Sequence, residues 1–184
     1  MSEKIEIVSD WVDSLREDVE TLKKVVENEK VNTEARKYAA TALNYLVTRM
    51  DLIPDWTETI GVVDDVLVLR MCVDLASGYD LDEGLSSDTK TLVDIGRLGN
   101  DIDRVERVLG PDLFARLRKH AARMSETAVR GRTPQRILED ETARARLYEE
   151  IDADLLRMPA ATFGDAESVR VKLESYLTAK LKDL

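Results

Sequence analysis

Apolar residues recur through the first segment in alternating steps of three and four: Ile5, Val8, Val12, Leu15, Val19, Leu22 and Val26. This is the a/d seam of a heptad, β-branched at a and Val or Leu at d, and it predicts a helix over Glu3–Glu29. Asp10, Asp13, Glu17 and Glu20 fall on the opposite faces. Such a seam can pack against another helix of the same chain, or residues 5–26 can pair across a homodimer.

The helical period continues along the chain. Ala35, Ala39, Ala42, Leu43, Leu46 and Val47 give a second helix from Thr33 to Met50, capped by Asn32 or Thr33. Pro54 disfavours helical backbone at Ile53, so this helix is expected to stop just after Asp51. An irregular stretch, Pro54–Gly61, leads to a third helix over Val62–Ala76 that is apolar nearly all round, the pattern of a central element. Gly78 and Gly84 mark a loop, Ser77–Ser87, which divides the chain into an N-terminal lobe (1–80) and a C-terminal lobe (86–184). Three or four helices follow: Asp88–Leu109, one opening at Pro111, one running from Thr133-Pro134 to Arg157, and Asp165–Leu181. Gly96 and Gly99 suggest close helix packing. The expected fold is an all-α bundle of six or seven helices.

Composition agrees with this reading and narrows the function. Eight Gly and four Pro among 184 residues are too few for a many-stranded fold, and 43% apolar with 35% charged residues describes a globular chain with a solvated surface. A formal net charge of −10 argues against bulk attraction to nucleic acid or anionic lipid. With one cysteine, Cys72, there is no intrachain disulfide. No apolar run approaches the ~20 residues of a membrane span. The first residues lack the basic and apolar regions of a signal peptide, which makes the cytoplasm the expected location.

One segment carries a recognisable order of residues. From Tyr38 to Ala76 the chain reads YAATALNYLVTRMDLIPDWTETIGVVDDVLVLRMCVDLA. A helix, then D-L-I-P-D, a short linker with Gly, then D-D opening an apolar helix: this resembles the YkvA-like family, domain of unknown function 1232. The matching positions are Asp51, Leu52, Ile53, Pro54, Asp55, Gly61, Asp64 and Asp65. Arg49 stands where members of that family often carry Pro, so here the preceding helix is expected to run on. The resemblance implies a helical hairpin and brings no established activity.

The residues themselves support two readings. In the structural one, Asp55 accepts backbone N–H groups of the Pro54 turn, and Asp64 and Asp65 lie in the first turn of a helix, where the dipole favours carboxylates. Asp51 lies at the wrong helix terminus for that effect, and Arg49 or Arg70 would be its partner. In the other reading, Asp51, Asp55, Asp64 and Asp65 converge as oxygen ligands for Mg²⁺ or Ca²⁺, because hard cations take several carboxylates. The spacing is not that of an EF-hand, and Val68 breaks the D-D-x-x-D pattern of prenyl-diphosphate enzymes.

A basic stretch remains. Arg116, Arg118, Lys119, Arg123, Arg130, Arg132 and Arg136 face one acid within their own segment, Glu126. Arg116, Lys119 and Arg123 share a helical face, with Arg130 and Arg132 in the loop beyond, which suggests a docking patch for an acidic protein or a phosphate-bearing ligand. No aromatics interleave with these residues, which argues against nucleic acid. His120, the one histidine, reads as a half-exposed helix residue, Cys72 as an inert buried thiol, and Trp11 and Trp56 as packing anchors. Together these features point to a non-enzymatic interaction or regulatory protein with a protein partner and no cofactor. The alternative is a metal-binding module or metal-dependent enzyme centred on the Asp residues.

Overall fold

The computed structural model describes residues 3–48, 52–53, 60–158, 163 and 166–182, apart from the side chains of 82, 166 and 167. Its elements are α1 (Glu3–Glu27), α2 (Thr33–Tyr45), α3 (Val63–Ser77), α4 (Leu81–Leu85), α5 (Thr89–Asn100), α6 (Ile102–Leu109), α7 (Pro111–Met124), α8 (Pro134–Glu139), α9 (Glu141–Arg157) and α10 (Ala166–Lys180). Among the described residues the only β feature is an isolated bridge between Val129 and Arg132. The fold is all-α, and no helix is long and apolar enough to cross a membrane among the described residues.

Extra boundaries relative to the expected helix number come from two aspartates. The helix expected over Asp88–Leu109 is broken at Asp101 into α5 and α6, and the one expected to reach Arg157 is broken at Asp140 into α8 and α9. Asp140 turns extended and accepts the Ala143 N–H at 3.0 Å, capping α9. Such local side-chain-to-backbone bonds are how Asp competes with a helix interior. A short helix, α4, also forms inside the loop expected at Ser77–Ser87. α2 ends at Tyr45, short of Asp51, with the Thr48 N–H bonded to the Tyr45 carbonyl at 2.7 Å. Other boundaries follow their local signals: Asn32 caps α2, Asp88 caps α5, Thr133 caps α8, and Pro111 opens α7 after Gly110 at φ +79°.

α3 is the centre. Val66, Leu67, Val68, Leu69, Met71 and Cys72 have no exposed surface, and α1, α2, α5, α6 and α7 pack around them. Complete burial of each such aliphatic side chain stabilises by roughly 1.5–3 kcal/mol, so all-round apolarity translates directly into a central position. The core includes residues of both halves, from Ile5 to Leu181, as one cluster.

The heptad seam of α1 is filled from within. All seven seam residues are buried in the single chain, and so are Ile7, Trp11 and Val25 beside them. A homodimer through residues 5–26 is therefore corrected: this seam has no free apolar surface for a second copy, because α2, α3, α5, α6 and α10 already pack on the helix.

Glycine roles also differ from expectation. A Cβ built at Gly96 or Gly99 meets nothing within 4 Å, so neither marks close packing. Gly84 does: a Cβ there would lie 2.5 Å from the Cα of Val31.

Candidate functional site

The end of α2 and the start of α3 meet at a buried hydrogen-bond knot. Tyr45, the last residue of α2, donates its hydroxyl to Asp64 Oδ2 at 2.5 Å. Asp64 Oδ2 also accepts the backbone N–H of Ile53 at 3.1 Å, and the Tyr45 oxygen accepts that of Leu52 at 3.0 Å. Leu52 and Ile53 are buried, so their N–H groups have to be satisfied inside the protein, and Tyr45 and Asp64 do this. Asp64 and Asp65 both lie in the first turn of α3, as expected. Asp64 nevertheless bonds the backbone of the incoming segment as well as sitting at its own helix terminus. Burial, followed by the charges of Asp64 and Asp65, pushes the Tyr45 hydroxyl well above the usual phenol range, so it stays a proton donor. Gly61 sits in the turn that enters α3. Asp51, Pro54, Asp55, Arg49 and Trp56 lie outside the described residues. Among the described residues, no group of three or more His, Cys, Asp or Glu is placed to hold a metal ion.

Arg70, expected as a partner for Asp51, forms a second buried system. Its Nε donates to Asp101 Oδ2 at 2.9 Å and its Nη2 to Asp18 Oδ2 at 3.3 Å. Its Nη1 reaches the Val66 carbonyl at 3.2 Å, and its guanidinium lies 4.6 Å from the Trp11 ring centroid. Burial pulls the Arg70 pKa down, opposed by the attraction of Asp18 and Asp101. Asp18 also accepts Ser14 Oγ at 3.0 Å and Arg97 Nη2 at 2.5 Å, while Arg104 Nη1 donates to Asp101 Oδ1 at 3.0 Å. One guanidinium thus joins α1, α3 and the α5–α6 break.

Tyr45, Asp18 and Asp101 were not singled out in the sequence, although a signal existed for Asp18. It interrupts the row Trp11, Leu15, Asp18, Leu22, Val25, in which the other four residues are apolar and all five are buried. An acid on a buried helical row requires a cation, and Arg70 is the cation within the most apolar helix.

Most of the basic stretch is engaged inside the chain. Arg116 pairs with Asp112 at 3.1 Å, Arg118 with Asp74 at 2.7 Å and Arg136 with Asp140 at 3.3 Å. Arg132 forks onto both oxygens of Glu150 at 2.8 and 2.7 Å, and Arg130 adds a bond of 2.9 Å to the same carboxylate. These last two therefore fasten the 129–132 turn to α9, and Arg132 is itself buried. Glu126, the acid within the stretch, pairs with Lys37 of α2. Lys119 and Arg123 have exposed side chains four residues apart on α7 and no carboxylate partner among the described residues.

His120 is half-buried, and burial followed by the nearby Arg123 charge lowers its pKa. Cys72 is fully enclosed, its pKa pushed up to about 12 by burial. Trp11 is a packing anchor, as expected.

Residues 35–70 match the model of a family described as protein of unknown function (DUF1232), a segment running from α2 to Arg70 in α3. No curated protein and no solved structure matches the chain.

Proposed function

We propose that this chain is a non-enzymatic helical interaction protein, in which the 35–70 segment stiffens the bundle and α7 docks an acidic protein partner. The observation that carries the reading is the difference within the basic stretch. Five of its seven basic residues are paired with carboxylates of the same chain, and Lys119 and Arg123 stand exposed side by side. In a chain of net charge −10, that pair gives α7 a local basic edge.

The knot at Tyr45 and Asp64 supports the stiffening role. Asp64 Oδ2 already accepts two hydrogen bonds, and the side chain is fully buried, a position suited to fastening chain segments. The metal alternative uses Asp51, Asp55, Asp64 and Asp65 around Mg²⁺ or Ca²⁺. It would place a cation on a carboxylate whose Oδ2 already serves Tyr45 and Ile53.

The test is a charge reversal, Lys119→Glu with Arg123→Glu. Partners recovered by the wild type are identified, purified and titrated calorimetrically against both proteins. Binding should weaken at least tenfold in the variant, and the wild-type affinity should fall as salt is raised, since exposed charges are screened. A variant that binds the same partners with unchanged affinity removes α7 from the interface.

A further inference from the structure

Among the described residues, Tyr79 is the one large aromatic side chain that stands exposed. It follows α3 directly, its N–H bonded to the Ala76 carbonyl at 3.0 Å. Its ring leans on that of Tyr38 in α2, with centroids 5.9 Å apart and planes tilted by 31°. A ring already held by a neighbour loses little rotamer freedom when a partner covers it. Val93, Leu156 and Val171, the other exposed large apolar side chains, stand on α5, α9 and α10.

Three contacts tie this ring pair to the end of α7 that carries the basic edge. Arg118 of α7 donates Nε to Asp74, in the last turn of α3, at 2.7 Å. Lys37, next to Tyr38, pairs with Glu126. Ser125, the C-cap of α7, sits beside the Tyr38 hydroxyl, and Arg123 lies in the last turn of the same helix. Successive helical residues are about 100° apart, so Lys119 is the next position round from Arg118. The rings and the Lys119–Arg123 edge therefore flank the end of one helix, whose diameter with side chains is about 10–12 Å.

Charge divides across this surface. Asp74 and Glu126 are neutralised by Arg118 and Lys37, and Asp80 is exposed beside Tyr79. Lys119 and Arg123 are exposed on the far side with no carboxylate partner among the described residues. The ring end offers apolar contact without a free cation, and the α7 end offers cations.

We propose that Tyr79, braced by Tyr38, is the apolar half of the α7 docking surface. The partner is then an acidic protein segment that carries a large apolar or aromatic side chain about three or four extended residues from its carboxylates, at about 3.3 Å per residue. This rests on the docking role proposed for α7. The cations steer encounter, and the covered ring slows dissociation.

Random peptides of about twelve residues, displayed on phage and panned against the full chain, supply the probe. Enriched peptides should combine Asp or Glu with Phe, Trp, Tyr or Leu, and their synthetic forms are measured by surface plasmon resonance. Tyr79→Ala should speed dissociation at least fivefold with association nearly unchanged, and Tyr79→Phe should bind like wild type. Lys119→Glu with Arg123→Glu should slow association at least fivefold, in a salt-dependent way. Thermal melts of each variant confirm that the fold is kept. Acidic peptides that bind Tyr79→Ala as tightly as wild type would overturn the aromatic half and leave the basic edge standing. Enriched peptides without acids, or indifferent to the charge reversal, would overturn the α7 reading itself. A library that yields no peptide with both features also overturns the proposal.

Discussion

Replacing Tyr45 by Phe removes a single oxygen and leaves the ring that fills its buried site, so the change isolates the hydrogen-bond knot. Two bonds go with that oxygen: the donation to Asp64 Oδ2 and the acceptance of the Leu52 N–H. A hydrogen bond to a charged group contributes about 1.5–3 kcal/mol, and a buried N–H left without an acceptor costs about 1–3 kcal/mol. The two share one atom and Asp64 keeps the Ile53 N–H, so the combined loss is expected at about 2–4 kcal/mol. For a chain of this length that corresponds to a fall of about 5–15 °C in melting temperature. Urea unfolding followed by far-ultraviolet circular dichroism measures it, with a lower midpoint and an unchanged slope. Asp64→Asn completes a double-mutant cycle, in which a coupling of at least about 1 kcal/mol is expected between residues sharing a bond. A Tyr45→Phe variant within about 0.5 kcal/mol of wild type, the range typical of inconsequential surface changes, would refute the knot as a stabilising device.

Four further outcomes follow from the packing. Gly84→Ala should destabilise by about 1–3 kcal/mol, because its Cβ would lie 2.5 Å from the Val31 Cα and backbone has to move; a neutral urea midpoint would show that the approach is not tight. Arg70→Ala strips Asp101 and Asp18 of a buried cation and should cost about 3–5 kcal/mol, or prevent folding, whereas Arg104→Ala at the surface should cost under about 1 kcal/mol; equal losses would contradict the ranking. Cys72, with its pKa raised from 9.0 to about 12, should react with a disulfide reagent at pH 8 only as the protein unfolds. A raised pKa means that the folded state holds the proton more tightly, so this contribution is intact below pH 9.0 and is lost as pH rises toward about 12, with Tyr45 adding to the loss above its ordinary value of 10.0. Stability that stays flat from pH 9 to 11 would contradict both shifts.

The helices were legible because their signals are local. The seam of α1, the all-apolar face of α3, Asn32, Asp88, Thr133 and the Gly110-Pro111 break each state their structure within a few residues. The division at Asp101 was not: Asp101 keeps helical backbone angles, and its carboxylate goes to Arg70, thirty-one positions away in sequence. The end of α2 at Tyr45 was missed for a related reason. Local propensity favours continuing through Leu46 and Val47, yet the tie from Tyr45 to Asp64 brings the incoming Leu52 and Ile53 backbone against α3. Gly96 and Gly99 look in sequence like close-packing glycines, and Gly84 like an ordinary loop glycine; which of them touches backbone depends on tertiary approach alone. For the basic stretch, charge was visible in the sequence and pairing was not. Asp74, Asp112, Asp140 and Glu150 all lie outside residues 116–136, and they neutralise five of the seven cations.

Whether the aspartates of the 35–70 segment fasten the fold or hold a metal comes down to one thermal experiment. The melting temperature of the metal-free protein is recorded by differential scanning calorimetry as Mg²⁺, Mn²⁺ or Ca²⁺ is raised to about 10 mM at constant ionic strength. A cation bound by the folded state alone would raise stability by about 2.7 kcal/mol at a hundred times its dissociation constant. If Asp64 serves the fold through the bonds of its Oδ2 to Tyr45 and Ile53, the melting temperature should stay within about 1 °C at every concentration. A saturable rise of several degrees, lost in Asp64→Asn, would show that the carboxylates hold a metal and that the structural assignment of the segment is wrong.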